Sequence, residues 1–408
     1  MWLVVIASEP DADHLIASVS RSAERGQEIL ICIIGPSSET LMNRLDLVKN
    51  YRNIKVIHLT RYRTRHTTLG RLLRVQHRLT KLRTFLTKYH VEIVLQEWGD
   101  GVAFTGGGIV QRLRKRYFAA FPLQIQMAAH SLAIPVVALP HGHAMKMTSI
   151  GSLHALEVAR QNSGKLPFKS RESFSAYVVA HQSDKDFLIQ RSDMSGKNVE
   201  VWGSARFSPQ WIEKLYESCK PFVGDSKGQL NVLFFLPKWN NFIDRAKTLD
   251  LLTALGRLNH VELWIREHPR KNESSLSDDE WFRLCMLPAV RRVDSTVDSL
   301  RLIKGCHLLI EIESSIAIDA VMLGKPVIMP RYLQNQSVIS RLDSSESILR
   351  TGNCEETVRA VTPDLKLPTY SQTFLESVAA QSSSDTTEFY DRRLIGLARK
   401  TTDKDLMA

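Results

Sequence analysis

The feature that most constrains this chain is an alternation that persists over more than 300 residues. Short β-branched runs bounded by turn residues give way to longer segments with apolar residues at three- and four-residue spacing. Runs of the first kind lie at 3–7, 28–34, 54–59, 91–96 and 135–139, then at 177–180 and 199–202, and again at 232–236, 262–266, 308–311 and 326–329. Between them, segments such as 11–25 and 69–88 carry the helical period. Strand and crossover helix in regular succession specify parallel sheets covered on both faces. At roughly 100–200 residues per domain, 408 residues suit two such α/β domains. The expected division is 1–205 for the first domain and 206–370 for the second, with 371–408 a C-terminal helix and tail. A turn at Gly203–Pro209 marks the boundary, and a charged helix over 387–400 is expected to pack back across the first domain.

Composition narrows the function. Lys plus Arg number 54 against 43 Asp plus Glu, a net charge of +11 that favours an anionic partner. The five cysteines, Cys32, Cys219, Cys285, Cys306 and Cys354, form no CxxC and no Cys/His pairing, so neither a disulfide framework nor a zinc site is indicated. No metal and no cofactor is expected. The opening apolar run, residues 1–7, is short and followed at once by Glu9 and Asp11, unlike a signal peptide. No stretch approaches the roughly 20 apolar residues of a membrane span. The expectation is a cytoplasmic protein whose membrane contact, if any, is peripheral at the inner face of the cell membrane.

In open α/β sheets ligands bind beyond the carboxyl ends of the strands, and four loops there carry unusual chemistry. The first holds Glu97 and Asp100 among glycines 99, 101 and 106–108, suited to bringing a base to a substrate hydroxyl; turn capping is the plain alternative. The second, Pro140-His141-Gly142-His143 with Lys146, sets titratable groups and a cation at a strand end. The third, Arg266-Glu267-His268-Pro269-Arg270-Lys271, gathers positive charge where a polyanion would sit. The fourth, Glu313-Ser314-Ser315 ahead of a helix containing Asp319, offers hydroxyls and amides to a phosphate, although serine caps many helices that bind nothing.

Taken in order, these segments resemble a known family. His141-Gly142 with Lys146 and Gly151 is similar to the HG…K…G segment of the CDP-glycerol glycerophosphotransferases and capsule-synthesis transferases. His268-Pro269 resembles their HP motif, and Ser314-Ser315 with Asp319 and Lys325-Pro326 their SS…D…KP segment. The turn 203–206 stands where they carry G-x-x-R, and the strand ahead of Trp239 where they carry P-x-W. The likeness covers about residues 90–335. It implies a GT-B architecture of two facing Rossmann-like domains, acceptor on the first and nucleotide-activated donor on the second. It further implies donor binding by Arg266, His268, Pro269, Arg270, Ser314, Ser315 and Asp319, acceptor binding by Glu97, His143 and Lys146, and a base at His141 or Asp100. Cytidine is favoured over uridine on the resemblance alone. Two departures stand out. Gly99-Asp100-Gly101 keeps one of two adjacent acids, and His143 replaces the T-P that usually comes after HG.

The expected activity is transfer of a sugar or polyol phosphate to a bacterial surface polysaccharide or its lipid-linked primer. A nucleotide-sugar 2-epimerase of the same fold, whose corresponding segment reads GG-x-x-x-E, and a non-catalytic glycan or polyanion binder are the alternatives. Between Asp46 and Glu92 there is no acidic residue, while Arg61, Arg63, Arg65, Arg71, Arg74, Arg78, Lys81, Arg83 and Lys88 lie there beside a leucine stripe. An anionic membrane surface is the expected partner of that stretch. No nucleic-acid motif accompanies the charge.

Overall fold

A computed structural model describes residues 1–34, 38–58, 68–99, 121–140, 142, 144–145, 150, 152–224, 229–267, 275–312, 314–336, 339–364, 366–380 and 385–405, with backbone alone for 68–77 and 400–405. The chain divides into two compact units. Unit 1 comprises residues 1–143, 162–215 and 380–408; unit 2 comprises 144–161 and 216–379.

Unit 1 is built on strands β1 (Trp2–Ile6), β2 (Ile29–Ile33), β3 (Ile54–His58), β4 (Ile93–Glu97), β5 (Val136–Leu139), β6 (Ala176–Val179) and β7 (Val199–Val201). They form one parallel sheet in the order β3-β2-β1-β4-β5-β6-β7. Helices α1 (Glu9–Glu24), α2 (Glu39–Asp46), α3 (Thr68–Lys88), α4 (Phe121–Ser131), α5 (Leu153–Gln161) and α6 (Gln182–Arg191) succeed one another in chain order, α5 belonging to unit 2. Strands β1, β2 and β5 are buried along their whole length, as continuous apolar runs in a parallel sheet must be. Alternate residues feed two cores: Val4, Ile6 and Leu95 on one face, Leu3, Val5 and Val94 on the other. Helix α1 begins where Asp11 accepts from the Ala7 and Ser8 amides at 2.9 and 2.8 Å, filling donors that a helix start leaves open.

In the half of α3 whose side chains are described, Leu79, Leu82 and Leu86 are buried, the last two in the core on one face of the sheet, and Lys81, Arg83 and Lys88 are exposed. Within this half the leucines are therefore core, and Lys81, Arg83 and Lys88 lie on a solvent face. No helix among the described residues is long and apolar enough to cross a membrane.

After α7 (Pro209–Ser218), unit 2 continues with β8 (Leu230–Phe235), α8 (Arg245–Leu255), β9 (Val261–Arg266), α9 (Asp278–Cys285), β10 (Val290–Val293), α10 (Ser299–Gly305), β11 (Leu308–Ile310), α11 (Ile316–Met322), β12 (Val327–Pro330), β13 (Leu349–Thr351), α12 (Cys354–Ala360) and α13 (Gln372–Ala379). Its parallel sheet runs β10-β9-β8-β11-β12-β13. The last helix, α14 (Thr386–Asp405), packs back on α1 of unit 1 as expected. Tyr390 and Leu394 are buried there, and Asp391 accepts from Ser22 Oγ and Arg25 at 2.6 Å each. Gly203 sits at φ +79° in the turn beneath α14, where a Cβ would lie 2.9 Å from the Ala380 carbonyl oxygen, so this turn requires glycine.

Candidate functional site

In unit 1 the strand order reverses between β1 and β4, and in unit 2 between β8 and β11; crevices for ligands open at such points. Glu97 is the last residue of β4, half-buried and in register with Leu139 at the end of β5. Trp98 then fastens this edge. Its amide donates to Leu139 O at 3.0 Å, its indole Nε1 to Val178 O at 2.5 Å, and its ring stacks on Tyr177 at 5.9 Å. Sequence reasoning passed over Trp98, whose signal was an aromatic residue directly after a strand. Asp100 and glycines 101 and 106–108 lie outside the described residues.

The second loop leaves β5 at Pro140. His141, His143 and Lys146 also lie outside the described residues, whereas Ala144 and Met145 are described. Residues 144–161 join unit 2, where Arg341 Nε donates to Ala144 O at 2.6 Å and the Arg341 amide to Met145 O at 3.0 Å. Arg341 is itself buried, within a segment braced by Asp343 and Arg350. A contact across nearly 200 residues carries no local sequence signal.

At the carboxyl end of β9, Arg266 is 4% exposed. Its guanidinium donates to Ser299 Oγ and, at 2.9 Å, to Ser295 O, so it joins the β10–α10 connection to β9. Glu267 was not singled out by sequence, yet its carboxylate gathers three donors at 3.0 Å each: the Leu276 amide, Trp281 Nε1 and Arg292. The two ends of the 268–274 loop are thereby joined. His268, Pro269 and Arg270 fall within that loop, outside the described residues.

Beyond β11, Ser314 is exposed and Ser315 half-buried at the start of α11. The buried Glu311 accepts from the Ser314 amide, and Ser314 Oγ faces the Ile316 amide at 3.4 Å. Asp319 is 7% exposed and accepts from Tyr216 Oη at 2.9 Å. Lys325 lies at the opposite, amino-terminal edge of the sheet. It donates to Lys304 O at 3.2 Å and Cys306 O at 2.8 Å, capping α10.

In the G-x-x-R turn, Arg206 Nε donates to Asp13 Oδ2 at 2.5 Å, and Arg44 Nε to Asp13 Oδ1 at the same distance. Burial pushes the Asp13 carboxyl up, but Arg206 and Arg44 outweigh it and hold it well below the usual carboxylate range. Among the described residues no group of three His, Cys, Asp or Glu side chains could hold a metal ion.

No protein-family model matches the sequence, and no curated protein matches it. Solved structures do. The UDP-GlcNAc 2-epimerase of Neisseria meningitidis, bound to UDP-GlcNAc, is 14% identical over 97% of this chain and 99% of its own, with a TM-score of 0.54. A putative UDP-N-acetylglucosamine 2-epimerase of Listeria monocytogenes is 11% identical over 98% and 96%, at 0.56. A glycosyltransferase of Rickettsia africae is 11% identical over 98% of both chains, at 0.51. At these identities the likeness is one of fold alone: the chain has two doubly wound α/β units, as the GT-B fold does.

Proposed function

We propose that this chain is a GT-B transferase that moves a sugar or polyol phosphate from a nucleotide-activated donor to a surface polysaccharide or its lipid-linked primer. The observation that carries the reading is positional. Each chemistry-bearing segment of the sequence begins directly at the carboxyl end of a strand, β4, β5, β9 or β11, beside the reversal points of the two sheets. Ligands of open α/β sheets bind at those ends, and the order of the segments resembles that of the CDP-glycerol transferases.

In this reading His141 or Asp100 removes the acceptor hydroxyl proton, with Glu97, His143 and Lys146 holding the acceptor. His268, Pro269, Arg270, Ser314 and Ser315 meet the donor phosphates, with Asp319 at the same site, while Arg266 adds a fixed positive charge at the end of β9. The exposed basic face of α3 is the element offered to an anionic membrane. The resemblance favours a cytidine donor; because the Neisseria neighbour is bound to UDP-GlcNAc, uridine donors belong in the same panel.

Incubating the purified chain with CDP- and UDP-activated donors, with and without glycan acceptors, tests this. Release of nucleotide that requires acceptor is the expected outcome. Interconversion of a nucleotide sugar without acceptor would make it an epimerase, and saturable binding with no turnover would make it a binder.

A further inference from the structure

The chain passes from unit 1 into unit 2 between His143 and Ala144, inside the loop that leaves β5 at Pro140. Its first residues in unit 2 are held at once. Arg341 Nε donates to Ala144 O at 2.6 Å, and the Arg341 amide donates to Met145 O at 3.0 Å. One residue thus holds two successive carbonyls, the first through its side chain and the second through its backbone. Met145 is 4% exposed and Arg341 7%, so the contact is shielded from water, where a charge-assisted bond counts for most.

The anchor is itself braced. Arg341 opens a 3₁₀ turn, Arg341–Ser344, preceded by Ser340, whose amide donates to Asp343 Oδ2 at 2.8 Å. Asp343 also accepts from Arg331, directly after β12, and from Arg350 Nε of β13 at 3.1 Å. Arg331 donates in turn to Gln334 Oε1 at 3.0 Å. On either side of Gln334, the Asn335 amide donates to Phe242 O and Leu333 O accepts from the Asp244 amide, each at 2.8 Å. Phe242, at φ +64°, closes the 3₁₀ turn Trp239–Asn241 beyond β8, and α5 packs against that turn. The segment 144–161 is therefore docked on one hydrogen-bonded frame, at its start through Arg341 and at its end through α5.

Ala144 and Met145 carry no reactive group, but their neighbours do. Lys146 comes directly after Met145, and only His141, Gly142 and His143 separate Pro140 from Ala144. A shift of the anchor is passed to these side chains along a few bonds. A displacement of about 1 Å in a group that holds or activates substrate costs up to ~10²-fold in rate.

We propose that Arg341 is a positioning residue for the acceptor-side loop, setting the place of His141, His143 and Lys146 through its hold on Ala144 and Met145. The inference deepens the transferase reading and rests on its acceptor site.

The test compares the wild-type chain with Arg341→Met, Arg341→Lys and, as a control for stability alone, Leu251→Ala in the buried face of α8. Hydrogen exchange read by mass spectrometry reports on the anchor, since the amide at position 341 is bonded to Met145 O only while the loop is docked. Nucleotide release from CDP-glycerol and UDP-N-acetylglucosamine, with and without p-nitrophenyl glycosides as acceptors, reports on its consequence. In Arg341→Met that amide exchanges about tenfold faster, and acceptor-dependent kcat/KM falls at least about tenfold, the equivalent of one charge-assisted bond, while affinities for CDP and UDP stay within about twofold of wild type. Arg341→Lys, which keeps a cationic donor, shows smaller losses in the same two readouts. Leu251→Ala lowers the melting temperature and leaves acceptor kinetics unchanged. Faster exchange with unchanged acceptor kinetics, or an equal kinetic loss in Leu251→Ala, would make Arg341 structural and overturn the proposal. Unchanged exchange in Arg341→Met would overturn it as well. A wild-type chain that releases no nucleotide in response to acceptor would withdraw the transferase reading and the proposal with it.

Discussion

Replacing Glu267 provides the sharpest test of how the 268–274 loop is held. Its carboxylate accepts from the Leu276 amide, Trp281 Nε1 and Arg292, each at 3.0 Å. Leu276 is 6% exposed and Trp281 4%, so in Glu267→Ala two buried donors lose their acceptor. Each such loss costs roughly 1–3 kcal/mol. Arg292 is half exposed and finds water instead, so its ion pair adds at most about 1 kcal/mol. The expected destabilisation is about 3 kcal/mol. Glu267→Gln keeps an acceptor for Leu276 and Trp281 and should cost less than about 1 kcal/mol. Urea unfolding monitored by tryptophan fluorescence reads both values, Trp281 being itself a reporter. Nucleotide titration of the two variants then shows whether the loop anchor matters for binding. A Glu267→Ala protein within about 0.5 kcal/mol of wild type, or glutamine costing as much as alanine, would refute the reasoning, since both would mean that these three contacts do not act as a buried acceptor site.

Ser314→Ala, Ser315→Ala and His268→Ala should each weaken nucleotide binding by ~1.5–3 kcal/mol without unfolding the protein; wild-type affinity in all three by calorimetry would sink the donor-site assignment. Whichever of Asp100 and His141 is the base, its alanine variant should lose ~10²–10⁴ in turnover at near-normal nucleotide affinity, and two fully active variants would dismiss both. Burial, with nearby Lys325 adding to it, lowers the His307 pKa, and His307 Nδ1 accepts the Asn231 amide at 2.9 Å. The folded state thus prefers the neutral ring: its contribution is complete above the unfolded histidine value of about 6.5 and is lost as pH falls through the lower folded one. Urea unfolding at pH 8 and pH 5 should show a smaller pH difference for His307→Asn than for wild type; equal differences would refute it. Because Leu79, Leu82 and Leu86 of α3 are buried, binding to anionic liposomes should be abolished by high salt and by Lys81→Glu with Lys88→Glu, and salt-resistant pelleting would contradict an electrostatic surface.

Strands β1, β2, β5, β11 and β12 were legible because a strand buried on both faces must be an apolar run, and these are. Strands β10 and β13 were not. Each lies at a sheet edge, is only three or four residues long and carries arginine, as in Val290-Arg291-Arg292-Val293, so pairing with β9 or β12 rather than composition defines it. The contacts that brace the candidate loops were equally hidden. Arg341 reaching Ala144, Glu267 gathering Leu276, Trp281 and Arg292, and the turn at Phe242 depend on neighbours supplied by the fold, and no spacing rule anticipates them.

The segment from Ser314 to Pro326 shows why a run that resembles one motif need not be one site. Its serines stand at the carboxyl edge of the unit 2 sheet, where amides and hydroxyls can meet a phosphate. Asp319, five residues after Ser314, accepts from Tyr216 near the junction with α7. Lys325 reaches the amino-terminal edge and caps α10, while Lys304 at the end of α10 donates to Tyr216 O and Cys219 O at 2.6 Å each, capping α7 in turn. A helix of seven residues rises only about 10 Å, enough to carry the chain from one edge of a three- to four-residue strand to the other. The serines and the lysine are therefore close in sequence for a topological reason. The crossover that places the serines at one edge must end in a turn that needs its carbonyls satisfied, and Lys304 and Lys325 both meet that need with cationic donors at helix carboxyl ends. Resemblance across the whole segment thus reports the crossover itself as well as any residue within it that binds.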